Sequence, residues 1–552
     1  MTKRRGRIVA ALLVVGVAVL VGRLFQLQIV EHASWVAAAA AIQERTIEMP
    51  PRRGSILDRD GELLAFDVKA MAIAVDGIQA TQQDGLARIL SEELGLSLSE
   101  ARDLVYRKRY FTWIDRRVDI ETAQRIERRA DEAGAYGLVF IDTWKRCYPQ
   151  GALASNVLGF VGTDGEGLEG IELAFDGHLR GEPRVLRVLE GADGRAYEVE
   201  VIESGRPGND LKLTLDAELQ FVCEEEIRAG VSKFRAEAGM VVLLEPETGN
   251  VVAMAQDKTY DLNRFWTSTA DARKNLAVTE LFEPGSSFKV FSGLAALEAG
   301  VVSVGDTFNG NDGIQVAGHV MHNADYISYG TVTFAQIIED SINTGMIRVA
   351  QRLGEEPMHR MLSALGFGRP TGIELPGEVG GILRDVEDWS GLALASTAIG
   401  QSVAVTGIQL ARAMAAVADD GILRTPHVVA GAEADSMETV VAPASVCATM
   451  RELMVRVVES GTGILAAVDG FSIAGKTGTA QKAIPGRGYV DGKYTSLFAG
   501  LLTAGNPEYV LLVVLDEAKT TYVGGGSTAA PIFRQAAERL IHLERLAPTI
   551  AY

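Results

Sequence analysis

Cysteine and histidine are both scarce in this sequence. The three cysteines among 552 residues, Cys147, Cys223 and Cys447, lie far apart and form no CxxC spacing. Three cysteines so placed exclude a disulfide-stapled fold and permit at most one disulfide, so we predict three small, partly buried apolar side chains. Of the seven histidines only His319 and His322 lie close together, and no third ligand is near them. The sequence therefore predicts no metal site.

Positive charge is also in deficit. Lysine and arginine number 53 against 72 aspartates and glutamates, which leaves a net charge of −19. This balance argues against non-specific binding to nucleic acid, which needs a basic surface. There is no solenoid repeat and no low-complexity tract. With 47% hydrophobic and 23% charged residues, the composition is that of a globular protein, and the length allows several domains.

Only one apolar run is long enough to cross a membrane. Four basic residues among the first seven precede the run Ile8–Gly22, and the apolar character continues to Val30. A helix over 8–30 would be about 34 Å long, enough for a hydrocarbon core of about 30 Å. The alternative is a signal peptide cleaved near Ala37–Ala41, but that run lies well beyond the apolar segment. We predict an uncleaved anchor with residues 1–7 in the cytoplasm and the rest of the chain outside.

Two regions follow the predicted anchor. Residues 31–210 contain short strands, amphipathic helices over 79–133 and a glycine-rich stretch, without a cluster of catalytic residue types. This region is typical of a spacer or docking module. In residues 211–545 strands are predicted near both ends and helices between them. That order predicts one sheet whose first and last strands are adjacent, flanked by a helical lobe.

The segment EPGSSFK over 283–289 is the first with chemical meaning. A helix is predicted to begin at Ser286, so Ser286 and Lys289 project from one face of its first turn. A serine hydroxyl needs a base to become a nucleophile, and a desolvated lysine can be that base. The helix N-terminus adds N–H groups for a developing oxyanion. Alone, S-x-x-K is a weak signal that a capping serine beside an exposed lysine would also produce.

Two further motifs strengthen this interpretation. Ser341-Ile342-Asn343 lies within the predicted helix Thr333–Leu353, and Lys476-Thr477-Gly478-Thr479 follows a predicted strand. The patterns S-x-x-K, S-x-N and K-T-G each occur once and in this order. Such a set is known from penicillin-binding proteins and serine β-lactamases.

On these motifs, residues 211–545 resemble the penicillin-binding transpeptidase domain. The segments at 53–61 (RGSILDRDG), 146–149 (RCYP) and 167–172 (GLEGIE) are similar to those of the class B, monofunctional penicillin-binding proteins. The resemblance implies a multidomain α/β protein. Its parts would be one transmembrane helix (8–30), a mixed α+β pedestal or dimerisation domain (31–210) and a transpeptidase domain (211–545). The last would have a β-lactamase-like antiparallel sheet flanked by helices, plus a helical lobe.

Three segments are most like the division-specific, septal type of class B protein: 283–286, 476–482 and 524–531. The elongation and sporulation types remain open. The second motif has Ile342 where many β-lactamases have aspartate, and a separate glutamate motif for activating hydrolytic water is missing. Both departures favour a transferase over a β-lactamase or carboxypeptidase. A non-catalytic β-lactam receptor or division scaffold is a further alternative.

The resemblance also implies residue roles. Ser286 would be the nucleophile and Lys289 its base. Ser341, Asn343 and Lys476 would relay protons and position the substrate. The N–H groups of Ser286 and Thr479 would form the oxyanion hole. In the substrate-binding motif Thr477-Gly478-Thr479, the two threonines would hold the terminal carboxylate of the donor peptide.

The implied reaction is acyl transfer from a D-Ala–D-Ala stem peptide of peptidoglycan to an amine of a neighbouring stem. β-Lactams would acylate Ser286, and neither a metal nor an organic cofactor would be needed. A SEDS-type glycosyltransferase and other division proteins are the implied partners. The implied location is the cytoplasmic (inner) membrane, with the catalytic domain outside the cytoplasm.

Overall fold

The computed structural model describes residues 2–36, 44–77, 79–107, 112–190, 196–432, 438–484, 488–503 and 507–549. The run Ala37–Ala41, considered above as a cleavage site, lies outside these residues. The chain divides into two compact units. The first contains residues 1–54, 67–145 and 180–209, and the second contains 55–66, 146–179 and 210–552.

The N-terminal segment is helical. An α-helix over Thr2–Phe25 continues as a π-helix over Gln26–Val30. Within the stretch Lys3–Val30 an 18-residue window reaches a mean hydropathy of 2.7, and none of that window is buried. Among the described residues it is the one helix long and apolar enough to cross a membrane, by length and composition. It coincides with the predicted anchor.

The rest of the first unit contains strands and helices. Most of strand Leu63–Val75 belongs to this unit, and the strand pairs antiparallel with Thr112–Asp119 and also pairs with Leu138–Cys147. The helices over Gln83–Leu94, Leu98–Val105 and Ile120–Glu132 share its small core. A second sheet of three strands is formed by Glu44–Met49, Arg184–Glu190 and Ala196–Glu203.

One prediction for this unit was wrong. Only helices were predicted over 79–133, but Thr112–Asp119 is a strand. Its three central residues, Asp115–Arg117, are charged and interrupt the apolar alternation that identifies a strand. Pairing with Leu63–Val75 determines its conformation, which is a tertiary effect that local sequence does not show.

The second unit is built on a five-stranded antiparallel sheet. Its strands are β1 (Ala238–Leu244), β2 (Val251–Gln256), β3 (Ala474–Ile484), β4 (Gly488–Leu502) and β5 (Tyr509–Asp516). The order is β2-β1-β5-β4-β3, so β3 is an edge strand. The first strand, β1, pairs with the last, β5, as predicted from the sequence.

Helices cover both faces of this sheet. α1 (Ala217–Phe234) and α5 (Ala529–Leu543) pack on one face against residues such as Val241. The lobe with α2 (Lys289–Glu298), α3 (Asn343–Leu353) and α4 (Gly407–Ala418) shares a core with the other face, which includes Val242. Neighbouring strand residues face opposite sides. The β-rich and helical segments therefore form the antiparallel sheet, flanking helices and helical lobe predicted above.

Short elements complete the second unit. The cysteines in the structure are free thiols, with Cys223 and Cys447 buried and Cys147 half-buried.

The remaining helices of the second unit are Ser155–Leu158, Gly170–Ala174, Asp176–Leu179, Ala270–Arg273, Leu276–Thr279, Phe334–Glu339, Glu355–Ala364, Ala393–Ala398 and Ala444–Glu459. The remaining strands are Ile56–Leu57, Leu211–Lys212, Thr307–Asn309, Ile314–Val316, His319–Met321, Thr331–Thr333, Ile422–Leu423 and Thr439–Val440.

Two segments that the sequence assigns to the pedestal, 55–66 and 146–179, belong to the second compact unit. Ile56–Leu57 pairs in parallel with Leu211–Lys212. The Arg146 guanidinium donates to the Glu172 carboxylate at 2.7 Å, with both side chains almost completely buried. The domain limits 31–210 and 211–545 stay predictions.

Substituting Glu172 tests the importance of this buried ion pair. Glu172→Gln is expected to lower the free energy of unfolding by about 3–5 kcal/mol, because it removes the carboxylate charge from a buried ion pair. Glu538→Gln is the matched control, since its partner Arg534 is exposed and such pairs contribute about 1 kcal/mol at most. Urea unfolding of both variants measures the difference. Equal losses would contradict the expectation.

Candidate active site

Ser286 lies at the junction between a loop and helix α2. Gly285–Phe288 forms a 3-10 turn, and the α-helix proper begins at Lys289 rather than at Ser286 as predicted. The three-residue spacing still brings the two side chains together, with Lys289 Nζ 3.1 Å from Ser286 Oγ. Ser286 is partly exposed, whereas Lys289 is completely buried. A hydroxyl open to solvent therefore contacts an amine shielded from it.

Ser341 does not lie inside a helix, which corrects the prediction of a continuous helix over Thr333–Leu353. One helix ends at Glu339, α3 begins at Asn343, and Ser341 between them has a φ of +59°. A non-glycine residue in this left-handed region is strained, and such strain is common at functional sites. The break lets both Ser341 and Asn343 reach the same lysine.

Four oxygen atoms of the described residues lie within hydrogen-bond distance of Lys289 Nζ. Besides Ser286 Oγ, it lies 2.5 Å from the Ser341 carbonyl oxygen, 3.1 Å from Ser341 Oγ and 2.7 Å from Asn343 Oδ1. The Asn343 amide nitrogen donates to the carbonyl of His322 at 3.0 Å, which fixes the side chain with its oxygen towards the lysine. The first and second motifs thus meet at one buried amine.

The third motif lies on the edge strand β3. Lys476 is completely buried, and its Nζ donates to Ser341 Oγ at 2.9 Å. Ser341 Oγ consequently contacts both lysines. A Cβ on Gly478 would lie 2.6 Å from the Pro284 carbonyl, so the close approach of β3 to the Ser286 segment requires glycine at this position.

The two threonines of the third motif contact residues that the sequence did not single out for the site. Thr477 Oγ1 lies 2.8 Å from Thr462 Oγ1, and Thr462 is exposed. Thr479 Oγ1 accepts a hydrogen bond from the backbone N–H of Gly525 at 3.1 Å. Gly525 belongs to the glycine-rich segment 524–531 noted above, whereas Thr462 stands in no recognised motif. Only its position in the fold identifies it.

Burial lowers the pKa of both lysines. The pKa of Lys289 lies well below its usual 10.5, because burial disfavours the charged form and because the charge of Lys476 is near. Burial lowers the pKa of Lys476 to about 7, with the nearby Asp340 carboxylate acting in the opposite direction. Lys289 can therefore be an uncharged amine at a pH well below 10.5. A serine hydroxyl beside an uncharged amine is the arrangement needed for nucleophilic attack.

The site contains the groups for acyl transfer through a serine ester. Ser286, Lys289, Ser341, Asn343 and Lys476 form one connected set of contacts. Strand β3 is an edge, so alternate backbone groups point away from the sheet, where an extended peptide could pair with them. Among the described residues, no group of three or more histidine, cysteine, aspartate or glutamate side chains could hold a metal ion.

Comparisons with known proteins agree with this arrangement. Residues 239–538 match the family model of the penicillin-binding protein transpeptidase domain, and residues 48–213 match that of the penicillin-binding protein dimerisation domain. The chain is 32% identical to the probable peptidoglycan D,D-transpeptidase PenA of Neisseria meningitidis, over 92% of this chain and 87% of that protein. It is 29% identical to the peptidoglycan D,D-transpeptidase FtsI of Escherichia coli, over 94% and 88%.

The fold is also similar to solved structures. Penicillin-binding protein 3 of Mycobacterium tuberculosis, in complex with aztreonam, superimposes with a TM-score of 0.69 at 28% identity. The alignment covers 91% of this chain and 99% of that one. The structural similarity extends over nearly the whole chain, so it includes both the transpeptidase and the dimerisation domain matched above.

Proposed function

The chain belongs to the class B penicillin-binding proteins and is a serine-type peptidoglycan D,D-transpeptidase, and we propose that Ser286 is its nucleophile in septal cell-wall synthesis. The observation that carries the assignment is the contact between Ser286 Oγ and the buried Lys289 Nζ at 3.1 Å. In the described structure the partners of that amine come from the other predicted motif residues, Ser341 and Asn343.

In the first step Lys289 takes the proton of Ser286 Oγ as the oxygen attacks the penultimate D-alanine carbonyl of a donor stem. The carbonyl oxygen becomes negative and is stabilised by the N–H groups of Ser286 and Thr479. The tetrahedral intermediate collapses, the C–N bond breaks, and a proton passes to the leaving D-alanine amine. Ser341 Oγ is the group that carries this proton, because it contacts both Lys289 and Lys476.

In the second step an amine of a neighbouring stem attacks the ester. A C–N bond forms, the C–O bond to Ser286 breaks, and the proton lost by the amine returns to Ser286 Oγ through the same lysine and serine. Thr477 and Thr479 hold the terminal carboxylate of the donor, and the positive charge of Lys476 nearby favours this anion. A β-lactam enters the first step in place of the donor and remains on Ser286.

Labelling with a fluorescent penicillin tests this function. We expect one label per chain, carried by the peptide that contains Ser286, and no label on Ser286→Ala. Ser287→Ala is the matched control, because its hydroxyl is bonded to the Pro284 carbonyl and takes no part in the reaction. Label retained by Ser286→Ala would contradict the assignment, and rapid steady turnover of penicillin would favour a hydrolase instead.

The lowered lysine pKa values predict how acylation depends on pH. Protonation of Lys289 on the acid side removes the base, so the rate constant should fall as pH drops through the lowered pKa of Lys289. Lys476, with a pKa of about 7, loses its positive charge on the alkaline side, so the rate should fall there too. Because the two lysines interact, the rate constant should show a bell-shaped dependence on pH. The two apparent pKa values of that curve belong to the pair and not to either lysine alone. Acylation rate constants between pH 5 and 9 measure it, and a flat profile would contradict the prediction.

The septal assignment is supported by the segments 283–286, 476–482 and 524–531 and by the similarity to FtsI. An elongation or sporulation role would use the same chemistry, so the cellular position of the protein is the measurement that separates these roles. A fluorescent fusion of the full chain should concentrate at the division plane as cells constrict. Uniform labelling along the side wall would instead favour elongation.

The N-terminal helix is assigned as an uncleaved, single-pass anchor of the cytoplasmic membrane, with the catalytic unit outside. Basic residues before Ile8 support this orientation. We assign a SEDS-type glycosyltransferase as the partner, because a cross-linking enzyme needs new glycan strands at a fixed height above the membrane. Attaching residues 31–210 to a foreign anchor should uncouple cross-linking from glycan synthesis in a reconstituted assay. Unchanged coupling would refute this partnership.

A further inference from the structure

A cleft lies beside the active site, on the helical-lobe face of the sheet. It has a volume of about 320 Å³ and is lined by both acidic and basic side chains. Its lining is close in sequence to the catalytic segments. Glu283 lies three residues before Ser286, and Lys482 lies three residues after Thr479. We call it the lateral cleft. The residues that matter below are Glu280, Glu283, Arg384, Ser402, Gln481 and Lys482.

Several charges of the lateral cleft are already neutralised. Lys482 Nζ lies 2.8 Å from the Asp516 carboxylate and 3.1 Å from that of Glu517. The Glu283 carboxylate accepts hydrogen bonds from the Ser402 backbone N–H at 2.9 Å and from the Tyr489 hydroxyl at 3.1 Å. These contacts belong to the wall of the cleft. Because Lys482 is paired with two carboxylates, its positive charge is already neutralised and does not attract a ligand.

Two opposite charges remain. Within the described part of the chain, neither the Glu280 carboxylate nor the Arg384 guanidinium has a salt bridge or a side-chain hydrogen bond, and Glu280 acts only at longer range on Lys274, whose salt bridge is with Asp271. Both side chains are exposed at the cleft. A ligand carrying an ammonium and a carboxylate would pair with both, whereas a ligand with only an ammonium would leave Arg384 unpaired.

A donor peptide bound at the active site would extend towards the lateral cleft. If Thr477 and Thr479 hold the terminal carboxylate and the Thr479 N–H holds the reacting carbonyl, the rest of an extended donor runs along edge strand β3 past Ala480. A strand advances about 3.3 Å per residue, so Lys482 lies about 10 Å beyond Thr479. The residue before the D-Ala–D-Ala pair therefore comes to the mouth of the lateral cleft.

We propose that the lateral cleft binds the side chain of this third stem residue, and that it selects a diamino acid bearing a carboxylate beside its terminal amine. Glu280 contacts the amine and Arg384 contacts the carboxylate. The inference rests on the proposed function, because the placement of the donor uses Thr477 and Thr479 as its carboxylate-binding residues. It goes further by naming the class of stem peptide that the enzyme prefers.

Release of D-alanine from two soluble pentapeptides tests the proposal. Both peptides end in D-Ala–D-Ala, and their third residue is either meso-diaminopimelate or L-lysine. With the full-length protein in detergent, kcat/KM should favour the diaminopimelate peptide by about tenfold, the size of one charge-assisted contact. Arg384→Gln should reduce that ratio to about one by slowing only the diaminopimelate peptide. Arg384→Lys should restore part of the preference.

Two further variants complete the experiment. Glu280→Gln should slow both peptides, since both carry the amine. Arg360→Gln, an exposed change on the same lobe outside the cleft, should leave the ratio at its wild-type value. Equal kcat/KM for the two peptides, or a preference that survives Arg384→Gln, would overturn the role of the cleft while Ser286 still takes up penicillin. If the wild type reacted with neither peptide and did not take up penicillin, the proposed function itself would be overturned.

Discussion

Replacing Lys289 by methionine is expected to lower the rate constant of penicillin acylation by about 10⁴-fold while raising the stability of the fold. The loss of rate follows from removing the base that contacts Ser286 Oγ, since general-base catalysis contributes about 10²–10⁴-fold and linked catalytic residues fail together. Methionine is close to lysine in length, so the helix α2 core should remain filled.

The gain in stability comes from the same burial that lowers the lysine pKa. Between the lowered pKa of the folded chain and 10.5, the unfolded chain holds a proton on Lys289 that the folded chain lacks, so folding must remove it. We expect Lys289→Met to raise the free energy of unfolding at pH 7 by about 1–2 kcal/mol, after allowing for the hydrogen bonds lost. The wild type should regain stability relative to the variant as pH rises towards 10.5, where the unfolded chain also loses the proton.

Stopped-flow acylation and urea unfolding at pH 7 and pH 9.5 measure the two effects. Lys212→Met is the matched control, because Lys212 is exposed on a strand of the same unit. That variant should change the unfolding free energy by less than about 0.5 kcal/mol and leave acylation unchanged. Acylation by Lys289→Met at a tenth of the wild-type rate or faster would exclude Lys289 as the base.

The second large effect is expected for Gly400→Ala. Gly400 has a φ of +76°, and a Cβ there would lie 2.0 Å from the carbonyl oxygen of Gly285, the residue before Ser286. The Gly285 N–H also donates to the Gly400 carbonyl at 3.0 Å. Since neither backbone can move without displacing the other, we expect a loss of at least about 3 kcal/mol in unfolding free energy. Displacement of Ser286 should slow acylation by about 100-fold.

Gly300→Ala separates the steric contact from backbone strain. Gly300 has a similar φ of +66°, but nothing lies within 4 Å of the position that its Cβ would occupy. That variant should lose only the strain of a left-handed residue, about 1–2 kcal/mol, and keep its acylation rate. Urea unfolding and penicillin labelling of the two variants decide the matter. If Gly400→Ala were no worse than Gly300→Ala, the close contact would have no energetic importance.

Much of the catalytic unit could be predicted from sequence because its pattern is regular. The apolar strands near both ends of 211–545 predicted a sheet whose first and last strands are neighbours, and β1 pairs with β5. The motif residues could be found because acyl transfer needs a hydroxyl, an amine and an amide in a limited set of spacings. The structure brings Ser286, Ser341 and Lys476 together, although they are distant in the chain.

The local conformation of the site could not be predicted in the same way. Residues around Ser341 have good helical periodicity, so nothing local indicates the break. The contacts of Ser341 are with residues distant in the chain, since its carbonyl oxygen accepts from Lys289 Nζ at 2.5 Å and its hydroxyl oxygen accepts from Lys476 Nζ at 2.9 Å. Thr462 was missed for a related reason, since only the folding of its loop beside β3 brings it to Thr477. Such tertiary contacts override propensity.

Counting hydrogens around Lys289 Nζ leads to a final consequence. Two of its four neighbours, the Ser341 carbonyl and Asn343 Oδ1, can only accept a hydrogen bond. An uncharged amine has two hydrogens and one lone pair, so donating to these two oxygens uses both hydrogens. The lone pair then faces the hydroxyls of Ser286 and Ser341, the two neighbours that have a proton to give. The surroundings thus orient the amine for accepting a proton before any substrate arrives.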